Sequence, residues 1–120
     1  MFKVWFMRLA FEIAAVIMWR RKAPRNLAVA NRKINVRGGE IAVRIYTPES
    51  TGPHPVVVYY HGGGFVLGSL GTVDGPCRDI AANSQHVVVS VDYRLAPEFP
   101  FPAAADDAID AVQWVKSQAR

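Results

Sequence analysis

Val56-Val57-Val58-Tyr59-Tyr60-His61-Gly62-Gly63-Gly64-Phe65 is the stretch on which the fold turns. An apolar run without polar alternation reads as a strand covered on both faces, the habit of parallel sheets. The consecutive glycines that follow let the backbone leave the strand with its N–H groups unobstructed by side chains. Amides presented in this way suit negative charge developing on a carbonyl oxygen, so the stretch points to acyl-transfer chemistry.

Outward from this stretch, Val87-Val88-Val89-Ser90-Val91 is a second run of the same character. Between the two, Asp74-Gly75-Pro76 reads as a helix start, with Asp74 as cap, Pro76 in the first turn, and Cys77, Ile80 and Ala81 on one face. Upstream, Lys33 to Arg37 and Glu40 to Tyr46 alternate with period two about Gly38-Gly39, which is a hairpin signal with Ile41, Val43 and Ile45 on one face. A polar connector is expected between Pro24 and Lys33. Thr47 to Pro55, rich in proline and glycine, is expected as a loop carrying a solvated His54. Downstream, Ala104, Ala108, Ala111, Val112 and Val115 fall at helical spacing over Ala103 to Ser117. Asp106 and Asp107 near its start, and Lys116 and Arg120 near its end, suit the helix dipole. Asp106, Asp107 and Asp110 read most simply as a capped, solvated helix start. The order hairpin, strand, helix, strand, helix predicts an α/β chain with a mostly parallel open sheet and helices against it.

Composition narrows the function classes. The chain has 120 residues, 51% of them hydrophobic, enough for one core. Its formal charge of +4 is uneven: residues 1–37 hold nine Lys/Arg and a single acid, Glu12, whereas residues 38–120 hold five Lys/Arg and nine Asp/Glu. The folded part therefore offers no basic face for nucleic acid, and none is expected as partner. Cys77 is the lone cysteine, which excludes an internal disulfide and a thiolate metal cluster, and it reads as core. His54, His61 and His86 are too scattered for metal ligation, and Asp106-Asp107-x-x-Asp110 lacks the glycine and glutamate of a calcium loop. No metal and no cofactor are expected. Met1 to Trp19 is apolar almost all round a helical wheel, interrupted by Lys3, Arg8 and Glu12 and followed by Arg20-Arg21-Lys22. That pattern suits a helix packed on other parts of the protein or lying at a membrane surface, and a signal peptide or spanning anchor less well.

The glycine block His61 to Phe65 and the block Val91-Asp92-Tyr93-Arg94-Leu95-Ala96-Pro97-Glu98 together resemble the hormone-sensitive-lipase-like esterases of the α/β-hydrolase fold. Val43 to Pro48, Gly68-Ser69 and Phe101-Pro102-Ala103-Ala104 leading to Asp107 and Trp114 agree with the same family. The resemblance implies the N-terminal portion of an α/β-hydrolase domain over 33–120. Residues 1–32 precede it as an apolar and basic helical segment, either a cap or membrane-associated through residues 1–22. It also implies that Gly63 and Gly64 donate the oxyanion hole, with Gly62 shaping the turn and His61 and Phe65 supporting the loop. Asp92, Arg94 and Glu98 are expected to form a structural charge network beside it. In that family's chain order the catalytic histidine lies far downstream, so His61 is not the general base. No Gly-x-Ser-x-Gly occurs up to Arg120, and Ser69 lacks the glycine two residues before it. None of the catalytic triad is therefore present. The expectation is a fragment of a serine carboxylic-ester hydrolase for small or medium esters, inactive alone and poorly soluble or only partly ordered. A non-catalytic binding module on the same fold is the alternative. A cytoplasmic location is expected, with membrane association through the first helix as the alternative.

Overall fold

The computed structural model describes residues 2–19, 24 and 26–118. Helix α1 (Phe2–Trp19) precedes strands β1 (Leu27–Val36), β2 (Gly39–Pro48) and β3 (Val56–Tyr60), helix α2 (Asp74–Ser84), strand β4 (Val87–Asp92) and helix α3 (Ala103–Gln118). One sheet has the order β1-β2-β4-β3. β1 and β2 form the hairpin, registered from Leu27 opposite Pro48 to Val36 opposite Gly39. The sheet is mixed rather than mostly parallel. β2 meets β4 antiparallel, and only β3 and β4, joined through α2, run parallel. A tight turn reverses chain direction, whereas a helical crossover restores it.

Two apolar cores lie on opposite faces of this sheet. On one, Ile34, Ile41, Val43, Val89, Val91 and Tyr93 pack with Ala111, Trp114 and Val115 of α3. On the other, Tyr46, Val57 and Val88 pack with Cys77, Ile80 and Ala81 of α2. β4 is thus covered on both sides, which is why its sequence does not alternate. Each fully buried valine, such as Val43 or Val88 at 0% exposure, contributes roughly 1.5–3 kcal/mol from the surface it removes from water. β3, partnered on one side among the described strands, is only half buried and leaves Val56 and Tyr60 exposed.

Several local expectations change. Leu27 to Arg32 is strand, not connector, and β1 runs unbroken through position 32. Most of its residues face water, so burial imprinted no alternation on the sequence. Thr47 and Pro48 still belong to β2, opposite Ala28 and Leu27. His54 is not simply solvated, since its ring nitrogens lie 3.1 Å from the Gln85 carbonyl and 2.8 Å from the Ser50 carbonyl. The N-cap of α2 is Val73, with no side-chain cap bond. Asp74 instead accepts from Tyr46 Oη at 2.7 Å, Arg44 Nη1 at 3.2 Å and Arg78 Nε at 2.8 Å. Burial alone would push its carboxyl up, but these donors outweigh it and hold it below the usual range.

Helix α1 is turned inside out. Its half-buried positions are Val4, Arg8, Glu12 and Ala15, whereas Phe2, Trp5, Phe6, Ile13, Val16 and Ile17 are exposed. The face toward the sheet domain therefore carries two of the segment's charges. No described helix is long and apolar enough to cross a membrane. The basic flank Arg20-Arg21-Lys22 and the terminal Arg120 lie outside the described residues.

Candidate functional site

β3 ends at Tyr60, and the chain turns at once. Tyr60 Oη donates to the Ala108 carbonyl at 2.7 Å, fixing the strand end to α3. Gly63, Gly64 and Phe65 then adopt φ of 133°, 63° and 64°, a left-handed path that side chains rarely follow. Gly62 is not among the glycines with positive φ, and an added Cβ there, as at Gly64, would meet open space. At Gly63 a Cβ would lie 2.2 Å from the Leu67 carbonyl oxygen. That carbonyl packs there because Leu67 and Val66 both donate their amides to the Gly63 carbonyl, at 2.9 and 3.2 Å. Neither the Gly63 nor the Gly64 amide donates to a described residue. Tyr60, the glycine loop, Tyr93 and Ala104, Ala105 and Ala108 of α3 line a cleft of about 440 Å³.

His61 is buried at 3% exposure, its ring stacked on Tyr93 with centroids 4.3 Å apart. Tyr93 Oη donates to the His61 carbonyl. His61 Nδ1 lies 3.0 Å from the Gly62 carbonyl, which makes Nδ1 the protonated nitrogen. Its Nε2 is buried without a partner among the described residues. Gly68 lets the loop close over this ring, since a Cβ there would fall 2.2 Å from Nδ1. Phe65 is 64% exposed, touches Tyr93 edge-on and accepts the Ala96 amide at 2.8 Å.

Asp92, Arg94 and Glu98 do not bond to one another; Arg94 reaches α3 and Glu98 reaches α1. Arg94 donates its backbone amide, Nε and Nη2 to Asp107, each at 2.9 Å. Asp107 is at 0% exposure, so it is no solvated helix start. An ionised carboxylate stays buried because it is paired and hydrogen-bonded. Its neighbours Asp106 and Asp110 accept from Arg37 in the hairpin turn, at 3.3 and 2.8 Å. Glu98 takes a two-pronged bond from Arg8 on α1, at 2.6 and 2.8 Å, which lowers its carboxyl to about 2. Asp92 borders a second cleft with Arg8, Lys33, Arg94 and Glu98, and burial raises its carboxyl.

Ser69 lies in a turn and not at a strand-to-helix elbow. Its Oγ accepts from Gly71 N at 3.1 Å and Thr72 N at 3.3 Å and donates to Glu12 of α1. Cys77 is fully buried, and burial pushes its thiol up to about 11, which suits packing and not reactivity. Sequence reasoning missed the inward-facing Arg8 and Glu12 and the pairing of Arg94 with Asp107. Their spacing of four residues, on one face of α1, was the only available sign of the first pair.

A free-amide glycine turn at the end of a strand, roofed by an irregular loop after the next strand, defines a recognisable class. A family model described as the alpha/beta hydrolase fold matches residues 57–120. The chain belongs to this family, in its hormone-sensitive-lipase-like esterase branch. It is similar to the esterase LipI of Mycobacterium tuberculosis, 47% identical over 116 residues that cover 90% of this chain and 36% of that protein. The carboxylesterase NlhH of the same species is 44% identical over 114 residues, with the same coverage of 90% and 36%. The solved hyperthermophilic esterase from the archaeon Pyrobaculum calidifontis superposes with a TM-score of 0.90 at 50% identity, over 95% of this chain and 37% of that one. The chain thus spans little more than a third of the relatives it matches, and corresponds to an N-terminal part of their fold.

Proposed function

We propose that these residues supply the oxyanion-binding part of a serine carboxylic-ester hydrolase acting on small or medium esters. The observation that carries the proposal is the pair of unengaged amides at Gly63 and Gly64 beside a cleft, in a loop whose φ angles no ordinary side chain favours. In such an enzyme a serine hydroxyl attacks the ester carbonyl, the tetrahedral oxyanion takes hydrogen bonds from these amides, and water releases the acyl group. Each donor is worth on the order of 3 kcal/mol to the barrier. His61, stacked on Tyr93 and bonded to the Gly62 carbonyl, would hold the loop's shape, as would Phe65 through Ala96. The 120 residues contain no Gly-x-Ser-x-Gly, so on their own they lack the nucleophile of this chemistry.

The test compares the 120-residue chain with the same chain extended by its downstream reading frame, using a short-chain chromogenic ester. Turnover by the extended protein alone is expected. Turnover by the short chain would overturn the assignment of the missing serine, and saturable ester binding without turnover in the extended protein would favour a non-catalytic module. A cytoplasmic location is part of the same proposal. Recovery of the protein with membranes after cell fractionation would instead favour a lipid surface under the outward apolar side of α1.

A further inference from the structure

We propose that Arg8, with Glu12 one turn along α1, is a positioning residue for the glycine loop, fixing the backbone that presents the Gly63 and Gly64 amides. The inference rests on reading those amides as oxyanion donors. A helix with so many apolar residues would ordinarily turn them inward, yet α1 spends inward positions on a guanidinium and a carboxylate. Both reach the loop. Arg8 Nε donates to the Val66 carbonyl at 2.8 Å and Nη2 to the Ala96 carbonyl at 3.0 Å. Ala96 is the residue whose amide holds the Phe65 carbonyl. One guanidinium therefore joins the two segments that keep Phe65 in its left-handed conformation, and Glu98 neutralises it from the far side.

Glu12 takes hold further along the same loop, through Ser69 Oγ and hence the Gly71 and Thr72 amides. α1 thus grips the segment on both sides of Gly68, the residue packed on His61. The planar fork of arginine reaches three acceptors at once, which a lysine ammonium on a flexible stem does not reproduce. Because the amides act on charge that exists only in the transition state, misplacing them lowers kcat and leaves KM nearly unchanged.

The test uses the extended protein and the variants Arg8→Met, Arg8→Lys and Glu12→Ala, with Arg37→Met as a control arginine paired elsewhere. Arg8→Met is expected to lower kcat by about 10- to 100-fold with KM within about twofold, and Arg8→Lys should not restore it. Amide hydrogen exchange over residues 62–69 should accelerate about tenfold, while exchange in β4 and both readouts in Arg37→Met stay at wild-type values. Unchanged kcat and unchanged loop exchange in Arg8→Met, or the same changes in Arg37→Met, would overturn the proposal. If Arg8→Met does not fold, Glu12→Ala decides: faster exchange over residues 68–72 supports the proposal and wild-type exchange overturns it. Absence of ester turnover in the wild-type extended protein would refute the enzymatic reading, and the exchange measurements would still decide the role of Arg8.

Discussion

Replacing Asp107 by alanine removes a carboxylate at 0% exposure that accepts three hydrogen bonds from one residue, Arg94. Breaking a buried ion pair from one side costs about 3–5 kcal/mol, because the remaining charge loses its partner without regaining water. Arg94 keeps 21% of its side chain exposed, so its guanidinium is partly rehydrated, which places the expected loss at the lower end, about 3 kcal/mol. The Arg94 backbone amide loses its acceptor as well. Asp107→Asn retains one oxygen for that amide and should cost about 2 kcal/mol, the worth of the lost charge-assisted bonds. The assay is urea denaturation followed by tryptophan fluorescence, with Trp114 on the same helix as a half-buried reporter. A double-mutant cycle with Arg94→Met should return a coupling of about 2 kcal/mol. A loss below about 1 kcal/mol in Asp107→Ala, or no coupling to Arg94, would refute the buried-pair reasoning.

Gly63→Ala forces a Cβ to 2.2 Å from the Leu67 carbonyl at a φ of 133°, so kcat/KM of the extended hydrolase should fall on the order of 100-fold; wild-type kinetics would remove Gly63 from the site. Asp74 has a depressed carboxyl, so its contribution to stability is present above the unfolded value of about 3.9 and lost as pH falls through the lower folded value. The stability gap between wild type and Asp74→Asn should therefore close on acidification, and a gap constant with pH would contradict the ion-pair account. The Cys77 thiol, raised to about 11, favours folding below its unfolded value of about 8.5, and that contribution disappears as pH climbs toward the folded one. Alkylation by iodoacetamide at mildly alkaline pH should consequently wait on unfolding, and prompt reaction of the native protein would show that the thiol is accessible.

What could be read from the sequence was whatever leaves a local pattern. Glu40 to Tyr46 alternates because Ile41 and Val43 are buried while their neighbours are not. Val87 to Val91 does not alternate because helices cover both its faces. The glycines announced the turn at 63 and 64 directly. Other features depend on partners distant in the chain and leave no such trace. Leu27 to Arg32 is strand because β2 lies beside it, and its exposed side chains are free to vary. Asp107 is buried because Arg94 reaches it, whereas its place near the start of a helix suggested solvent. Phe65 is not a glycine, and its left-handed backbone is held by the Ala96 amide. The inward turn of Arg8 and Glu12 is likewise set by carbonyls and a hydroxyl beyond position 65.

Three acids of α3 hold two connections that are far apart in the chain. Asp107 ties down the segment after β4, and Asp106 and Asp110 tie down the hairpin turn at Arg37, which is 73 residues from Asp110 along the chain. Two surface connections that look independently replaceable are therefore moored to a single post. Insertions or deletions at either connection would tilt that post and disturb the other, so natural length variation should be scarce at both Arg37 and Arg94 and should accumulate instead around Glu49 to Pro53, which has no such mooring to α3 among the described residues.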